Sequence, residues 1–256
     1  MKRIQLFEFG DLNWFPAFLR NYMTDFLQFL SNKAKVYASV LEQIEETLKE
    51  TNNAKIIDLC SGGGGGLLWL GEELKRKNSN ISITLSDYYP NIGAFEHITK
   101  NSEVFEYEKS SVDARAVPSH LKGLRTQFLS FHHFKPADAQ LILQNAVDSQ
   151  QAIAIFEIQD RSVPSIIAML LSPLSVLFTT PFIRPFSIGR LIFTYIIPIV
   201  PLIVVWDGLV SSFRTYSVNE LNDLVTKLKN KDTFNWKIEK KKDRMGFVIY
   251  LIGVPK

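Results

Sequence analysis

From Trp14 to Leu30 the apolar side chains Phe15, Phe18, Leu19, Tyr22, Phe26, Phe29 and Leu30 recur at helical spacing. Pro16 suits the first turn of such a helix, where its missing N–H has no intrahelical partner to lose. A second stripe, Val36, Val40, Leu41, Ile44 and Leu48, is backed by Glu42, Glu45, Glu46 and Lys49, predicting a helix from Ala34 to Glu50 stopped by the turn Thr51-Asn52-Asn53. Beyond it, strand-like and helix-like stretches alternate: strand Lys55–Leu59, helix Gly66–Lys77, strand Ile81–Ser86, helix Asn91–Lys100. Strands Phe105–Ser110, Thr126–Phe131 and Ala152–Glu157 follow, with a helix Pro136–Val147 before the last. Strands joined through helices need right-handed crossovers, so these five are expected to lie mainly parallel. Ser217 with Glu220 three residues later reads as a capping box opening a helix Val218–Lys229. Trp236–Lys240 and Phe247–Val254 are then strands joined by too few residues for a crossover, so they should pair antiparallel. The run Lys240-Lys241-Lys242 with Asp243 and Arg244 reads as the solvated tip of that hairpin.

The expected class is therefore α/β, a doubly wound seven-stranded mixed sheet with an antiparallel C-terminal hairpin and N-terminal helices. An apolar helical insertion follows the fifth strand. One domain is expected over 1–256, with a helical cap at 1–33 and the insertion at 162–206. In that insertion Val163–Phe182 carries no charge and Leu191–Trp206 is nearly as apolar, with Arg184 and Arg190 between them. About 20 apolar residues can span a bilayer, yet Pro164, Pro173, Pro181, Pro198 and Pro201 interrupt both stretches. A helical lid is favoured, and three uses stay open: the roof of a hydrophobic pocket, a peripheral contact dipping into one membrane leaflet with Arg184 and Arg190 at headgroup level, or a homodimer interface.

Composition adds bounds. The 256 residues fit one sizeable α/β core, and the 46% apolar and 12% aromatic content is high. The net charge of +3 is small and the basic residues are scattered among acids, so no nucleic-acid partner is expected. The single cysteine, Cys60, excludes an internal disulfide and a cysteine-based zinc cage. No metal site is expected. With an N-terminus lacking a signal peptide's apolar core, this fits a cytoplasmic protein, peripheral at the inner face of the membrane in the leaflet-dipping version.

The richest chemistry lies in Ile56-Ile57-Asp58-Leu59-Cys60-Ser61 followed by Gly62 to Gly66 and Leu67-Leu68-Trp69-Leu70, a strand that passes through glycines straight into a helix. Glycines there let the backbone turn sharply and approach a ligand closely, and a helix N-terminus offers N–H groups to negative charge. A nucleotide-like ligand is implied. Asp87 ends the second strand, where its carboxylate would accept the two ribose hydroxyls of a nucleoside; its plainer role is to start the turn before Tyr88-Tyr89-Pro90. Dinucleotide-binding folds also combine a glycine-rich first turn with an acid about 20 residues on, and five consecutive glycines match almost any such template.

Taken together, these residues resemble the class I S-adenosylmethionine-dependent methyltransferases. Aligned on Asp58, the second and third glycines of the family's first motif fall on Gly62 and Gly64, and the first is replaced by Cys60. Cys60 fits there as a small buried thiol if its dihedrals are ordinary. The resemblance implies S-adenosylmethionine as cofactor, held by Asp58, Cys60, Gly62, Gly64, Asp87 and Tyr88. It adds Asp113 and Ala114 of Ser111-Val112-Asp113-Ala114, where the family places an acid on the adenine amino group, and Phe131 of Phe131-His132-His133-Phe134 after the fourth strand. It runs from Ala34 to Lys256 without the insertion, and the closing hairpin, foreign to dehydrogenases, belongs to it. No Asn-Pro-Pro-aromatic motif follows the fourth strand, which within this resemblance counts against a nucleobase amino group as acceptor.

Methyl transfer from a sulfonium is an in-line displacement that rests mostly on orientation. For a hydroxyl or acidic carbon acceptor, His132 or His133 at the end of the fourth strand is the candidate base. Glu157, Asp160 and Arg161 end the fifth strand, where ligands of open sheets bind. Asp207, Arg214 and Tyr216 form a polar cluster after the insertion, so Asp160, Arg161, Arg214 and Tyr216 are candidate substrate contacts, with an Arg214–Asp207 structural pair as the competing expectation. The expected substrate is a hydrophobic small molecule or lipid-like acceptor. The alternative is a non-catalytic member of the fold that docks through the insertion.

Overall fold

Ile56, Ile57, Asp58 and Leu59 are all buried, because strands flank both edges of this segment and helices cover both faces. In the computed structural model of the chain, which describes residues 1–243 and 246–256, they belong to β1 (Lys55–Leu59) in the interior of a seven-stranded sheet. β2 (Ser82–Ser86), β3 (Phe105–Tyr107), β4 (Leu124–Phe128) and β5 (Ile153–Glu157) run parallel with it. β6 (Phe234–Asp243) and β7 (Gly246–Pro255) form the expected antiparallel hairpin, β7 pairing with β5, so the order is β3-β2-β1-β4-β5-β7-β6. The chain steps outward from β1 to β3 and returns to β4, which makes the carboxyl ends of β1 and β4 the switch point where such sheets take ligands.

Several strand limits differ from the pattern in the sequence: β4 begins at Leu124 rather than Thr126, and β6 spans Phe234–Asp243 rather than Trp236–Lys240. β3 stops at Tyr107, and the next residues turn, with the Glu108 carboxylate accepting the Ser110 N–H at 2.9 Å. β4 stops at Phe128 because Leu129 takes a left-handed φ of 47°, after which Phe131–His133 is a single 3-10 turn. Lys240, Lys241 and Lys242 lie within β6 rather than at the tip, with Lys240 Nζ 2.5 Å from the Asp160 carboxylate. Arg244, also placed at that tip, lies outside the described residues.

Helices α1 (Ala17–Ala34), α3 (Leu67–Lys77), α4 (Ile92–Asn101) and α5 (Pro136–Asp148) follow the predicted stripes, whereas the helix expected over Ala34–Glu50 is confined to α2 (Leu41–Glu50), because Lys35 takes a left-handed φ of 52° and Ala38–Val40 is a 3-10 turn. The insertion is α6 (Val163–Leu170), α7 (Ser172–Thr179), α8 (Ile188–Leu191), a π-helical turn (Ile192–Ile196) and α9 (Ile199–Arg214). Its prolines sit at or before first helical turns, where they break the path without losing hydrogen bonds. Among the described residues no single helix is long and apolar enough to cross a membrane; two pairs, bent by 40° and 78°, pass together by length and composition. α10 (Val218–Thr226) opens with the predicted capping box, Ser217 Oγ accepting the Glu220 N–H at 3.3 Å and Glu220 accepting the Ser217 N–H at 2.8 Å.

The core has three parts. Ile44 and Leu48 of α2, Leu70 and Leu74 of α3 and Phe95 of α4 cover Ile56, Ile83 and Leu85 on one face of the sheet. On the other, Ile142 and Leu143 of α5 and Leu221 and Leu224 of α10 cover Ile57, Leu59, Ile155 and Leu251. The third lies off the sheet: Leu19, Met23 and Phe26 of α1 pack with Val176 of α7 and with Val200, Ile203 and Val204 of α9. Arg190 pins this layer from inside rather than standing at the surface with Arg184. It is 2% exposed, donates to the Asp25 carboxylate at 2.5 Å and to the carbonyls of Ile183 and Pro185 at 3.0 and 2.7 Å. A buried charge needs these partners.

Candidate active site

The end of β1 is braced from beneath. Asp58 is buried, one carboxylate oxygen accepting Ser61 Oγ–H at 2.6 Å and the other Thr126 Oγ1–H of β4 at 2.8 Å. Burial, reinforced by the charge of Asp87, pushes its pKa up to about 7 against these hydrogen bonds. Asp58 thus holds the turn and the β1–β4 junction in shape from below. Ser61 also ties the turn to β2, its N–H donating to the Ser86 carbonyl at 2.9 Å.

Above that brace, Cys60 has a φ of 61°, and Gly62 and Gly64 have φ of 55° and 90°. The expectation of ordinary dihedrals at Cys60 is therefore corrected. The turn demands a left-handed residue where the methyltransferase motif has glycine, and a side chain there costs about 1–2 kcal/mol. Burial pushes the Cys60 thiol well up, with Asp87, Asp58 and Asp113 acting in the same direction, so it stays protonated.

Asp87 faces this loop from the end of β2. Its Oδ2 accepts the Gly62 N–H at 2.8 Å and its Oδ1 the Tyr89 N–H at 2.8 Å. Burial raises its pKa in spite of these bonds and of the nearby His133 charge. Tyr88 is exposed and packs edge-on against Tyr89. Further along, Asp113 accepts from Arg115 with both oxygens, at 2.7 to 3.2 Å, and Arg115 also reaches Asp138 at 2.9 Å. Ala114 and Phe131 are buried in the core beneath the sheet edge.

The glycine loop is clamped from α1, which sequence reasoning missed. Gln28 Nε2 donates to the Gly63 carbonyl at 2.6 Å, and Asn32 donates to the Gly65 carbonyl at 2.7 Å and accepts the Trp69 N–H at 2.9 Å. Neither residue belongs to a motif. Each is an ordinary polar position on the wet side of an amphipathic stripe until the helix is laid across the loop.

The histidines sit at the end of β4 under the N-terminal segment. His132 is 2% exposed; its Nδ1 lies 2.9 Å from Glu157 Oε2 at the end of β5, and its Nε2 faces Glu8 at 3.9 Å. His133 stacks on it at 4.3 Å and pairs through Nδ1 with Asp11 at 2.8 Å. Burial works against its charge, but Glu8 and Asp11 outweigh burial and lift its pKa to about 9. The same pairing, with Arg214, holds Asp11 far below the usual carboxylate range against its burial. Glu8, His132 and His133 bring one oxygen and two ring nitrogens within 4.8 Å of one another. Arg214 and protonated His133 already balance the charges of Glu8 and Asp11 there.

The candidate substrate contacts are drawn into internal bonds. Arg214 is 2% exposed and donates to Glu8 at 2.9 Å, to Asp11 at 2.6 Å, and to the carbonyls of His132 and His133 at 3.3 and 2.6 Å. Its expected partner Asp207 instead accepts the N–H groups of Phe9 and Gly10 at 2.8 and 3.1 Å. Tyr216 is buried, its hydroxyl donating to the Phe134 carbonyl at 2.8 Å beneath the Arg3 guanidinium. Arg161 pairs with Glu220, and Asp160 with Lys240 and Ser162, at the outer side of the strand ends. No spacing in the sequence links Glu8 or Asp11 to Arg214, some two hundred residues away, so this cluster was not legible there.

No protein-family model matches the sequence and no curated protein matches it. Solved structures do match. The citrinin polyketide synthase CMeT domain superposes with a TM-score of 0.56 at 12% identity, over 97% of this chain and 59% of that one. The methyltransferase domain of bacterial CtHen1 gives 0.52 at 14% identity, over 86% and 99%. An O-methyltransferase family protein from Burkholderia thailandensis gives 0.50 at 13%, over 88% and 58%. The chain thus has the Rossmann-like fold of the class I S-adenosylmethionine-dependent methyltransferases, and it spans about three fifths of the length of the first and third of these structures.

Proposed function

We propose that this protein is an S-adenosylmethionine-dependent methyltransferase acting on a hydrophobic small-molecule or lipid-like acceptor. The observation that carries this reading is the junction of Gly62 with Asp87 at the switch point of the sheet. Each Asp87 oxygen accepts one backbone N–H, which leaves an acceptor position on each for a ribose hydroxyl. In this reading the loop around Gly62 and Gly64 lies against the cofactor, Tyr88 and Phe131 border it, and Asp113 shares its carboxylate between Arg115 and the adenine amino group. Asp58 and Cys60 shape the loop from beneath.

The cofactor supplies an electrophilic methyl group, and the chain's own residues orient the acceptor and take its proton. His132 is the better base of the two. Glu157 holds its Nδ1, and its Nε2, which faces Glu8 at 3.9 Å, would be the atom to accept a proton from an acceptor hydroxyl as the oxygen–methyl bond forms. His133 is already protonated at neutral pH through its pairing with Asp11 and serves as a fixed positive charge beside the site. Residues 1–33 and 162–206 form one cap over the strand ends within a single working domain. Its apolar makeup supports a hydrophobic acceptor. Arg214 and Tyr216 hold that cap and the histidine turn in place, and Asp160 and Arg161 border the outer end of β5.

Titration calorimetry with S-adenosylmethionine and with its demethylated product tests the reading. Binding of both, abolished in Asp87→Ala with the fold intact, is expected; no heat and no thermal shift with either would overturn it. A second reading, a non-catalytic docking protein of this fold, is favoured by one observation: Cys60 stands in left-handed backbone where the motif has glycine. Absence of cofactor binding would leave that reading standing.

A further inference from the structure

Residues 1 to 16 combine inward-bonded charges with an outward apolar row. Arg3 donates to the carbonyls of His132, Phe134 and Arg214, Glu8 pairs with Arg214, and Asp11 pairs with Arg214 and His133, while Lys2, Gln5 and Asn13 are exposed. Phe15 is buried with Phe9 and Leu12 against it in the third core cluster, but Ile4, Leu6, Phe7 and Trp14 stand outward, Trp14 being 72% exposed. The outward row continues without a break onto the insertion, through Phe7 against the Trp206 ring at 5.3 Å and Phe18 of α1 against Phe193 at 5.2 Å. There Phe178, Phe182, Phe186, Ile188, Ile196 and Leu202 are exposed, while the opposite sides of the same helices fill the third core cluster. Scattered apolar side chains at a surface need no explanation, but a continuous apolar face does.

The charge on this face chooses its occupant. From residue 163 to 206 there is no carboxylate, and the two cations are Arg184 and Arg190. Arg190 is locked inside, so Arg184 is the charged side chain this stretch shows to the outside, and it stands between outward Phe182 and Phe186. Its contacts within the chain are the carbonyls of Pro181 and Ile183, both from one guanidinium nitrogen, which leaves the other free for an anion. Arg184 lies in the bend between the 3-10 turn Thr180–Phe182 and α8, and an exposed cation flanked by exposed aromatic side chains suits the interface of an anionic membrane. The helices are bent in pairs, by 40° and 78°, and no single one of them is long and apolar enough to cross.

We infer that the outer face of α6 to α9 together with residues 1 to 16 lies in the surface of a bilayer containing anionic lipid, with Phe182 and Phe186 in the acyl region and Arg184 on a lipid phosphate. This partner is read without reference to the cofactor. The test is co-sedimentation of the whole chain with vesicles of phosphatidylcholine alone and of phosphatidylcholine with phosphatidylglycerol, without S-adenosylmethionine, so it can succeed or fail independently of cofactor binding. The expected result is sedimentation with both, stronger with phosphatidylglycerol. Phe182→Ser with Phe186→Ser should lower partitioning by about tenfold or more on both vesicles, since each ring loses its burial in hydrocarbon. Arg184→Gln should remove only the phosphatidylglycerol preference. Because the three side chains are exposed, both variants should keep the circular dichroism and thermal midpoint of the parent. A parent chain that stays in the supernatant with both vesicles overturns the inference, as does unchanged partitioning of the double variant. A dimer in sedimentation velocity that the double variant converts to monomer overturns it in favour of a second copy on this face.

Discussion

The Gly62 N–H donates to Asp87 Oδ2 at 2.8 Å, so the carboxylate expected to hold a ribose is itself held by the glycine loop. The two halves of the candidate cofactor site form one unit, and a change in Asp87 should be felt in the conformation of the loop as well as in ligand contacts.

Asp87→Asn keeps the shape of the side chain but replaces a charge-assisted acceptor by a weaker neutral one, and Asp87→Ala removes it. With hydrogen bonds to charged groups contributing about 1.5–3 kcal/mol, we expect S-adenosylmethionine affinity to fall by about tenfold or more in Asp87→Ala and by less in Asp87→Asn. Calorimetry reads the ratio. Equal affinity in all three proteins would exclude Asp87 from the site.

Cys60 gives a paired test of backbone strain. Deleting a partly buried thiol should cost about 1 kcal/mol, but glycine at φ 61° relieves the left-handed penalty. Cys60→Gly should therefore unfold within about 1 kcal/mol of the parent in urea. Cys60→Val, branched at Cβ, should be less stable by about 2 kcal/mol or more. The reverse order, with Cys60→Gly less stable than Cys60→Val, would contradict the left-handed assignment.

Arg214 and Arg115 both sit in ion pairs, and their burial separates them. Arg214→Met takes from buried Glu8 its arginine partner, while Asp11 keeps contact with solvent, and breaking a buried pair in this way costs about 3–5 kcal/mol. Arg115 is exposed, and Arg115→Met should change stability by about 1 kcal/mol or less despite its two carboxylate partners. Denaturant midpoints with unchanged slopes would measure both.

His133 makes stability depend on pH in a stated direction. Its pKa rises from an ordinary 6.5 to about 9 on folding, so its contribution is complete below 6.5 and is lost as pH climbs through 9. Asp58, raised from 3.8 to about 7, favours the neutral acid, so its contribution is complete below 3.8 and is lost as pH climbs through 7. The unfolding free energy should decline from about pH 4 to 9 on account of these two groups. His133→Gln should flatten the upper part of that decline and Asp58→Asn the lower part. An upper slope that is unaltered in His133→Gln would mean that Asp11 and Glu8 do not hold the proton there.

The alternation of elements, the antiparallel closing hairpin and the capping box at Ser217 were legible along the chain because each rests on contacts or periodicities a few residues long. The glycine run and Asp87 were legible for the same reason, since each marks the end of its own strand. Cys60 was legible as a departure from the motif, but its left-handed backbone was not, because the turn's geometry is imposed by β1, β2 and Asp58 together.

By itself, then, the sequence determined the order and kind of the elements, the acids and glycines at the strand ends, and an apolar stretch with no carboxylate from 163 to 206. Only the tertiary structure decided which charges are matched and what faces outward. Glu8 and Asp11 meet Arg214, and Arg190 meets Asp25, across gaps in the chain that no local pattern encodes. A buried charge takes the partner that packing brings to it, and that same packing left Ile4, Leu6, Phe7 and Trp14 facing outward.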